Sequence, residues 1–321
     1  MKRRTFLKAM GLSLALPPTR VLAQGGSGRN IRMIVPLPPG TSNDAATRVI
    51  SAAMAPLLGQ TIVVDNRAGA SGQIGTMELI RANPDGSTLM CGSLSPLAAN
   101  MAFVKNLPYD PRRDLTPIEG ATLTNHVLVV APDSPIRTFA DFIGYAKERP
   151  GRVTIGYSTA IVQLQIATLN KLAGIELMPV PYRGAPASVT DVMAGVVTAT
   201  MANPGPTIQH EQGGQLRPLA VTSLKRNPAT PNWPAISETL AGFDFPSWNA
   251  FVGPVGLPAE QVSRLSSAIA QAQKQDDVVQ RLGNEATQPL IMGPDELKAY
   301  IAAEVEKYVR LGKEAGIQAE G

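Results

Sequence analysis

The sequence predicts an α/β protein of two lobes, built from open, mostly parallel sheets covered by helices. Three observations predict it. Strand-like and helix-like segments alternate along most of the chain, a pattern that places helices over parallel strands. The chain is 321 residues long, more than one core usually organises. It also leaves its first group of loops near Thr122–Val127 and returns near Phe245–Phe251. Two such crossings make a hinge with a cleft.

The first strand is read at Ile31–Val35, with further strands at Thr61–Asp65, Thr88–Gly92, Val127–Ala131, Val153–Tyr157, Leu177–Pro181, Thr198–Ala202, Leu216–Val221 and Ala250–Gly253. Each is a short apolar run bounded by turn residues. Helices between them are read at Asp44–Leu58, Gly72–Ala82, Thr138–Glu148, Val162–Ala173 and Ala187–Ala194. The C-terminal part, Ala259–Gln273, Asp276–Leu282 and Asp295–Ala315, is amphipathic and helical. The expected organisation is a first lobe from residues 28–122 and 246–290, a second from 123–245, and a C-terminal helix from 291–321 packing across both. Apart from Gly25–Gly28 there is no low-complexity linker.

Three punctuated loops dominate the first third: Pro36 to Asp44, Asn66 to Gly75, and Asn83 to Leu89. The first two follow strands and lead into helices. Such loops aim free backbone N–H groups and the positive end of a helix dipole at one point, which makes an anion site. Neither is a nucleotide fingerprint, since both G-x-G-x-x-G and G-x-x-x-x-G-K-[ST] are missing. The expected ligand is a small organic carboxylate.

Lys2-Arg3-Arg4-Thr5-Phe6-Leu7-Lys8, a short apolar stretch from Ala9 to Leu16, and Val21-Leu22-Ala23 before Gln24 read as a twin-arginine export signal over residues 1–23, cleaved after Ala23. The expected location is the periplasm. The whole chain carries 29 basic and 25 acidic residues, but Lys2, Arg3, Arg4, Lys8 and Arg20 belong to the signal, leaving 24 basic against 25 acidic. A nucleic-acid partner is therefore not expected. Cys91 is the only cysteine; it sits in a buried strand pattern and reads as a packed thiol.

The groups an enzyme needs are missing. The two histidines, His126 and His210, are far apart in sequence; each reads as solvated or hydrogen-bonded, His210 within a turn-like stretch. There is no H-E-x-x-H, no G-x-S-x-G and no Cys/His cluster. No catalytic residue, metal or cofactor is expected.

Pro36-x-Pro38-Pro39-Gly40 followed by Asp44, Asp65-Asn66-Arg67-x-Gly69-Ala70-x-Gly72-x-Ile74-Gly75, and Pro84-Asp85-Gly86-x-Thr88-Leu89 resemble the extracytoplasmic (Bug) receptors of tripartite tricarboxylate transporters. The likeness continues through Leu107–Pro111, Val180–Gly184, Thr190-Asp191, Leu216–Thr222 and Ala315–Ile317. It implies a two-lobed, Venus-flytrap periplasmic binding fold of type II-like form, with a carboxylate held between the lobes and delivered to a separate membrane permease. A monomer is expected. A ligand-loaded signalling partner of a membrane sensor is the alternative, with an exported enzyme on the same scaffold a remote third.

Expected ligand residues in the first lobe are Pro39, Gly40, Thr41, Ser42 and Asn43, with Ser71 and Gly72 nearby. Asp44 reads as stabilising the helix start, close to the ligand. The second lobe offers Ser158, Thr159, Tyr182, Arg183, Gly184 and Asn203. Two departures from the family pattern stand out. Thr41 replaces a second glycine, and Tyr157–Gln163 is shorter than the usual Gly/Ser-rich turn and lacks its histidine. Ile161 and Val162 there suggest a more apolar wall, and so a ligand with a hydrocarbon or aromatic body.

Overall fold

A computed structural model describes residues 30–316; the export signal, its cleavage site and Ile317 lie outside the described residues. In chain order the first unit runs β1 (Ile31–Val35), α1 (Ser42–Leu58), β2 (Ile62–Asn66), α2 (Gln73–Ile80), β3 (Thr88–Ser93), α3 (Asn100–Phe103), α4 (Pro111–Asp114) and β4 (Leu115–Thr124). The second continues with β5 (Val127–Val130), α5 (Phe139–Lys147), β6 (Val153–Tyr157), α6 (Ala160–Ala173), β7 (Leu177–Pro181), α7 (Ala185–Met193), β8 (Ala199–Ala202), α8 (Pro204–Gln212) and β9 (Arg217–Val221). The chain then returns through β10 (Ser247–Pro254), α9 (Ala259–Gln273), α10 (Asp276–Gly283), β11 (Gln288–Pro289) and α11 (Pro294–Glu314).

The first sheet has strand order β11-β4-β10-β3-β1-β2, and the second β7-β6-β8-β5-β9. β1, β2 and β3 are parallel, and β10 runs antiparallel between β3 and β4. In the second sheet β6, β7 and β8 are parallel, while β5 is antiparallel to β8 and β9. Both sheets are thus mixed around the strands that carry the crossings.

Five elements, α3, α4, β4, α8 and β11, escape the sequence pattern, and β4 and α8 show why. β4 contains Pro117 and Gly120, which argue against a strand. Its pairing with β10 shifts register twice, once between Phe251 and Val252, where the partners step from Glu119 to Pro117. A bulge there accommodates the proline. α8 begins Pro204-Gly205-Pro206, a turn-like run, yet it is a helix whose last turn holds His210. A Cβ at Gly205 would collide with the Glu285 carboxylate, so glycine allows α8 to approach the loop after α10.

The core follows the burial periodicity. One cluster joins Ile34, Met90 and Leu97 of the first unit to Leu128, Ile155 and Leu169 of the second through Leu297, Ile301, Val305 and Tyr308 of α11. α11 is also tied by Trp248 Nε1, which donates to Glu304 Oε2 at 3.0 Å, and by the Lys171–Glu314 ion pair at 2.9 Å. Fully burying each such Leu or Ile contributes roughly 1.5–3 kcal/mol.

Thr222 fastens the two crossings together. Its hydroxyl accepts from the His126 N–H at 2.9 Å and donates to the Phe245 carbonyl at 3.0 Å. Its own N–H donates to the His126 carbonyl, and its carbonyl accepts from Phe245 N–H, both at 2.9 Å. Thr222→Val keeps shape but orphans the half-buried His126 N–H and the buried Phe245 carbonyl. Chemical denaturation of this variant should show a loss of about 1–3 kcal/mol, whereas an unchanged midpoint and slope would remove Thr222 from the hinge.

Candidate functional site: two loop edges facing the crossings

The loops after β1 and β2 leave the same edge of the first sheet, because those strands are parallel and in register from Ile31–Ile62 to Val35–Asn66. β4 ends on this edge too, being antiparallel to β10. In the second sheet Tyr157 pairs with Pro181 and Val127 with Ala202. The ends of β6, β7 and β8 therefore gather where β5 begins. Both loop-bearing edges flank the first crossing.

In the first loop Thr41 caps α1, accepting from Asp44 N–H at 3.4 Å and donating to the Pro38 carbonyl at 3.0 Å. Gly40 takes φ +80°, a conformation that favours glycine. Its N–H is not aimed at a ligand as expected: it donates to Asp44 Oδ2 at 3.0 Å. Pro39 has no N–H to give. The donors without a protein partner among the described residues are one step on, at Thr41, Ser42 and Asn43, in the first turn of α1. The Asn43 side chain is buried and turns inward, donating to Asn249 Oδ1 at 2.5 Å; Asn249 in turn donates to Thr122 Oγ1 at 2.6 Å.

Asp44 is 4% exposed and holds the loop's shape. It accepts from Gly40 N–H, Arg48 Nε and Asn66 Nδ2, each at 3.0 Å. Burial, the largest influence, raises its pKa, but the hydrogen bonds from Arg48, Gly40 and Asn66 and the Arg48 charge together hold it below the ordinary carboxylate range. Asn66 also donates to the Leu37 carbonyl at 3.1 Å. Asp44 and Asn66 therefore join the first loop to the end of β2.

The second loop is conformationally strained. Gly69, Ala70, Ser71 and Gly72 have φ of 132°, 46°, 52° and 87°. Two non-glycine residues in the left-handed region cost on the order of 1–3 kcal/mol each. The surrounding fold fixes them: Asn100 Nδ2 donates to the Ser71 carbonyl at 3.0 Å, and Thr76 Oγ1 donates to the Gly72 carbonyl at 2.9 Å. Ser71 is exposed, while buried Gly72 caps α2 without a side-chain bond. A Cβ at Gly75 would lie 3.2 Å from Pro36 Cα, so α2 packs directly on the first loop.

On the second sheet Thr159 caps α6, accepting from Val162 N–H at 3.3 Å; Ser158 precedes it, partly exposed. Gly184 and Asn203 begin α7 and α8 without side-chain caps. Pro186, Pro204 and Pro206 have no N–H, so the main-chain donors inside these first turns without a partner among the described residues are those of Ala185 and Gly205. Arg183 is exposed beside them. Tyr182 is differently used: its hydroxyl donates to Asp191 Oδ2 at 2.7 Å, and burial together with that carboxylate pushes its pKa up to about 12. Tyr182 thus braces α7. Val162 is 3% exposed and belongs to the core, and Ile161 packs against it, so the apolar wall expected there is largely internal.

His126, read from sequence as solvated or hydrogen-bonded, lies at this edge, partly exposed, with Nδ1 3.1 Å from Gln165 Nε2 of α6. Burial pushes its pKa down to about 4, so at neutral pH the ring is uncharged. With Gln165 as donor, Nε2 carries the proton. Asn249, Thr122 and Gln165 were missed in the sequence. The available signal was a polar residue inside an apolar strand, as in Ser247-Trp248-Asn249-Ala250. Burial pushes the Cys91 thiol up to about 12, leaving it inert. Among the described residues no group of three His, Cys, Asp or Glu is placed to hold a metal ion, and no helix is long and apolar enough to cross a membrane.

This architecture, two α/β sheets with their loop edges set around paired crossings, defines a two-lobed periplasmic binding protein with a ligand cleft between lobes. The receptor profile of the tripartite tricarboxylate transporter family matches residues 46–317, and the chain belongs to that family. It is a solute receptor and not an enzyme. The chain is 32% identical to the protein BugT of Bordetella pertussis over 322 residues, covering 98% of this chain and 99% of BugT. An R. palustris protein solved with adipate superposes with a TM-score of 0.80 at 29% identity, covering 91% of this chain and 98% of its own. MatC from Rhodopseudomonas palustris, solved with bound malate, superposes with a TM-score of 0.74 at 25% identity, covering 88% and 98%.

The depressed pKa of His126 carries a sign. Above pH 6.5 folded and unfolded chains both hold it neutral; between pH 6.5 and about 4 only the unfolded chain takes up the proton. This contribution to stability is therefore lost as pH falls through that window. His126→Gln should flatten the stability-against-pH curve between pH 6.5 and 4, measured by urea unfolding. A slope identical to the parent's would contradict the neutral ring.

Proposed function

We propose that this chain captures a small organic dicarboxylate between its lobes in the periplasm and delivers it to a tripartite tricarboxylate-type permease. One observation carries the reading: the free N–H groups of Thr41, Ser42 and Asn43 at the start of α1, across the first crossing from the Ala185 and Gly205 N–H groups in the first turns of α7 and α8. A carboxylate on each side satisfies both sets of donors without a bound metal or a buried unpaired cation. Relatives solved with adipate and with malate, both dicarboxylates, support the class.

In this reading Thr41, Ser42 and Asn43 grip one carboxylate through the main chain, with Gly40 and Asp44 shaping the turn and Ser71 and Gly72 beside it. Ser158, Thr159, Arg183, Gly184 and Asn203 receive the other end, and Tyr182 positions α7. The lobes are residues 28–122 with 246–290, and 123–245, joined by 291–321. Residues 1–23 direct twin-arginine export and are removed after Ala23, and the mature receptor works as a monomer. Only the closed arrangement makes both sets of contacts, so ligand shifts the population toward closure.

Isothermal titration with adipate, malate and citrate tests this directly. Saturable binding of at least one dicarboxylate, recovered unchanged afterwards, is expected; absence of binding or consumption of the ligand would overturn the reading. Gly40→Val acts through the backbone, because a Cβ at Gly40 meets nothing within 4 Å while φ +80° is unfavourable for a β-branched residue. It should cost about 2–3 kcal/mol of affinity. Ser158→Ala should cost only about 0.5–1.5 kcal/mol. Small-angle scattering should show a smaller radius of gyration at saturating ligand; an unchanged curve would contradict hinge closure.

A further inference from the structure

Behind the crossings, toward the β11 edge of the first sheet, lies a cavity of about 410 Å³ that none of the cleft residues lines. Its walls come from both crossings, from the 223–228 segment and from the stretch between β11 and α11. The volume falls in the range of small-molecule sites, roughly 300–1,000 Å³. Most of the lining is apolar, with Leu224, Leu290, Met292 and Tyr300 prominent. Leu224 is 56% exposed although it is a large hydrophobic side chain.

Two polar groups in that wall lack partners. Asn125 is 3% exposed, its Oδ1 is buried without a hydrogen-bond partner, and it borders the cavity. An unsatisfied buried amide is costly and rare in native structures. The other group is the Lys225 ammonium. Arg226 beside it is paired with Glu238 at 2.7 Å, and Asp244 lies 3.8 Å from Lys307, whose ammonium also pairs with Glu304 at 3.1 Å. Lys225 alone among the charged lining residues has no ionic partner among the described residues. Lys225 is therefore the lining cation left to pair, next to the Asn125 amide, whose Nδ2 is a donor and whose orphaned Oδ1 is an acceptor.

We propose that this hinge cavity is a second binding site, distinct from the cleft, for a small monocarboxylic acid with an apolar body. The carboxylate meets Lys225 and the Asn125 amide, and the aliphatic or aromatic tail lies against Leu224, Leu290, Met292 and Tyr300. A single cation and a single amide at one end of an apolar cavity suit one carboxylate, in contrast to the two donor sets of the cleft. The proposal stands independently of the cleft assignment.

Octanoate is the probe, titrated calorimetrically into the mature chain and three variants. A saturable 1:1 site is expected in the parent protein and, unchanged, in Gly40→Val, where the cleft donors are displaced. Lys225→Glu, an exposed substitution that leaves packing intact, should weaken octanoate at least tenfold. Leu290→Trp should abolish binding by filling the cavity, with circular dichroism confirming the fold. Loss of octanoate binding in Gly40→Val with retention in Lys225→Glu would place the acid in the cleft and overturn the proposal. So would binding indifferent to both Lys225→Glu and Leu290→Trp, or the absence of any saturable binding.

Discussion

The buried carboxylate of Asp44 is the interaction on which the first half of the site depends. A single acidic group receives the Gly40 N–H, the Arg48 guanidinium and the Asn66 amide, and so fixes the turn after β1 against the end of β2. Such a carboxylate stays ionised because its hydrogen bonds outweigh its desolvation. Its consequence is positional. By taking the Gly40 N–H it leaves the next three donors, at the start of a 17-residue helix, as the ones a ligand meets. The helix dipole then adds to donors already aligned.

The second constraint is at the crossings, where polar groups bond one crossing to the other beside the buried rings of Phe243, Phe245 and Trp248. Thr222 binds His126 on one crossing and Phe245 on the other. Asn43 reaches Asn249, and Asn249 reaches Thr122. Two separate hydrogen-bonded sets result, one tying the crossings to each other through Thr222 and one tying helix α1 to β10 and β4 through Asn249. Hydrogen bonds of this kind are directional, so these sets restrict the hinge to few arrangements while the apolar core of each unit stays intact. α11 limits the motion from outside, since its apolar face contributes to a cluster containing residues from both sheets.

Much of this was legible in the sequence. The strands at Ile31–Val35, Val153–Tyr157 and Leu177–Pro181 agree with the observed ones residue for residue. The first two are buried parallel strands, short apolar runs with little ambiguity, and the third is an edge strand bounded by turn residues. β4 was not legible. Pro117, Glu119 and Gly120 look like loop residues, and their place in a strand depends on a bulge and on Glu119 being buried against Ser266 and the Met292 N–H. α8 was hidden by two prolines and by Gly205, whose reason is a distant contact with Glu285. For the site, the loop positions follow from turn chemistry, but the allocation of hydrogen bonds does not. Nothing local to Gly40 or Tyr182 reveals that Asp44 and Asp191 have already claimed their donors.

The central claim is that main-chain donors of the first loop grip a ligand carboxylate while the second sheet supplies the opposite end. Backbone amide chemical shifts, followed by two-dimensional NMR during titration with adipate, test it most directly. The account predicts large downfield proton shifts at Thr41, Ser42 and Asn43, as expected for N–H groups donating to a carboxylate. It predicts concurrent changes at Ser158, Thr159, Gly184 and Asn203, with the Gly40 amide little altered because Asp44 holds it in both states. Saturation with adipate that leaves Thr41–Asn43 unshifted, or that perturbs only one sheet, would contradict it.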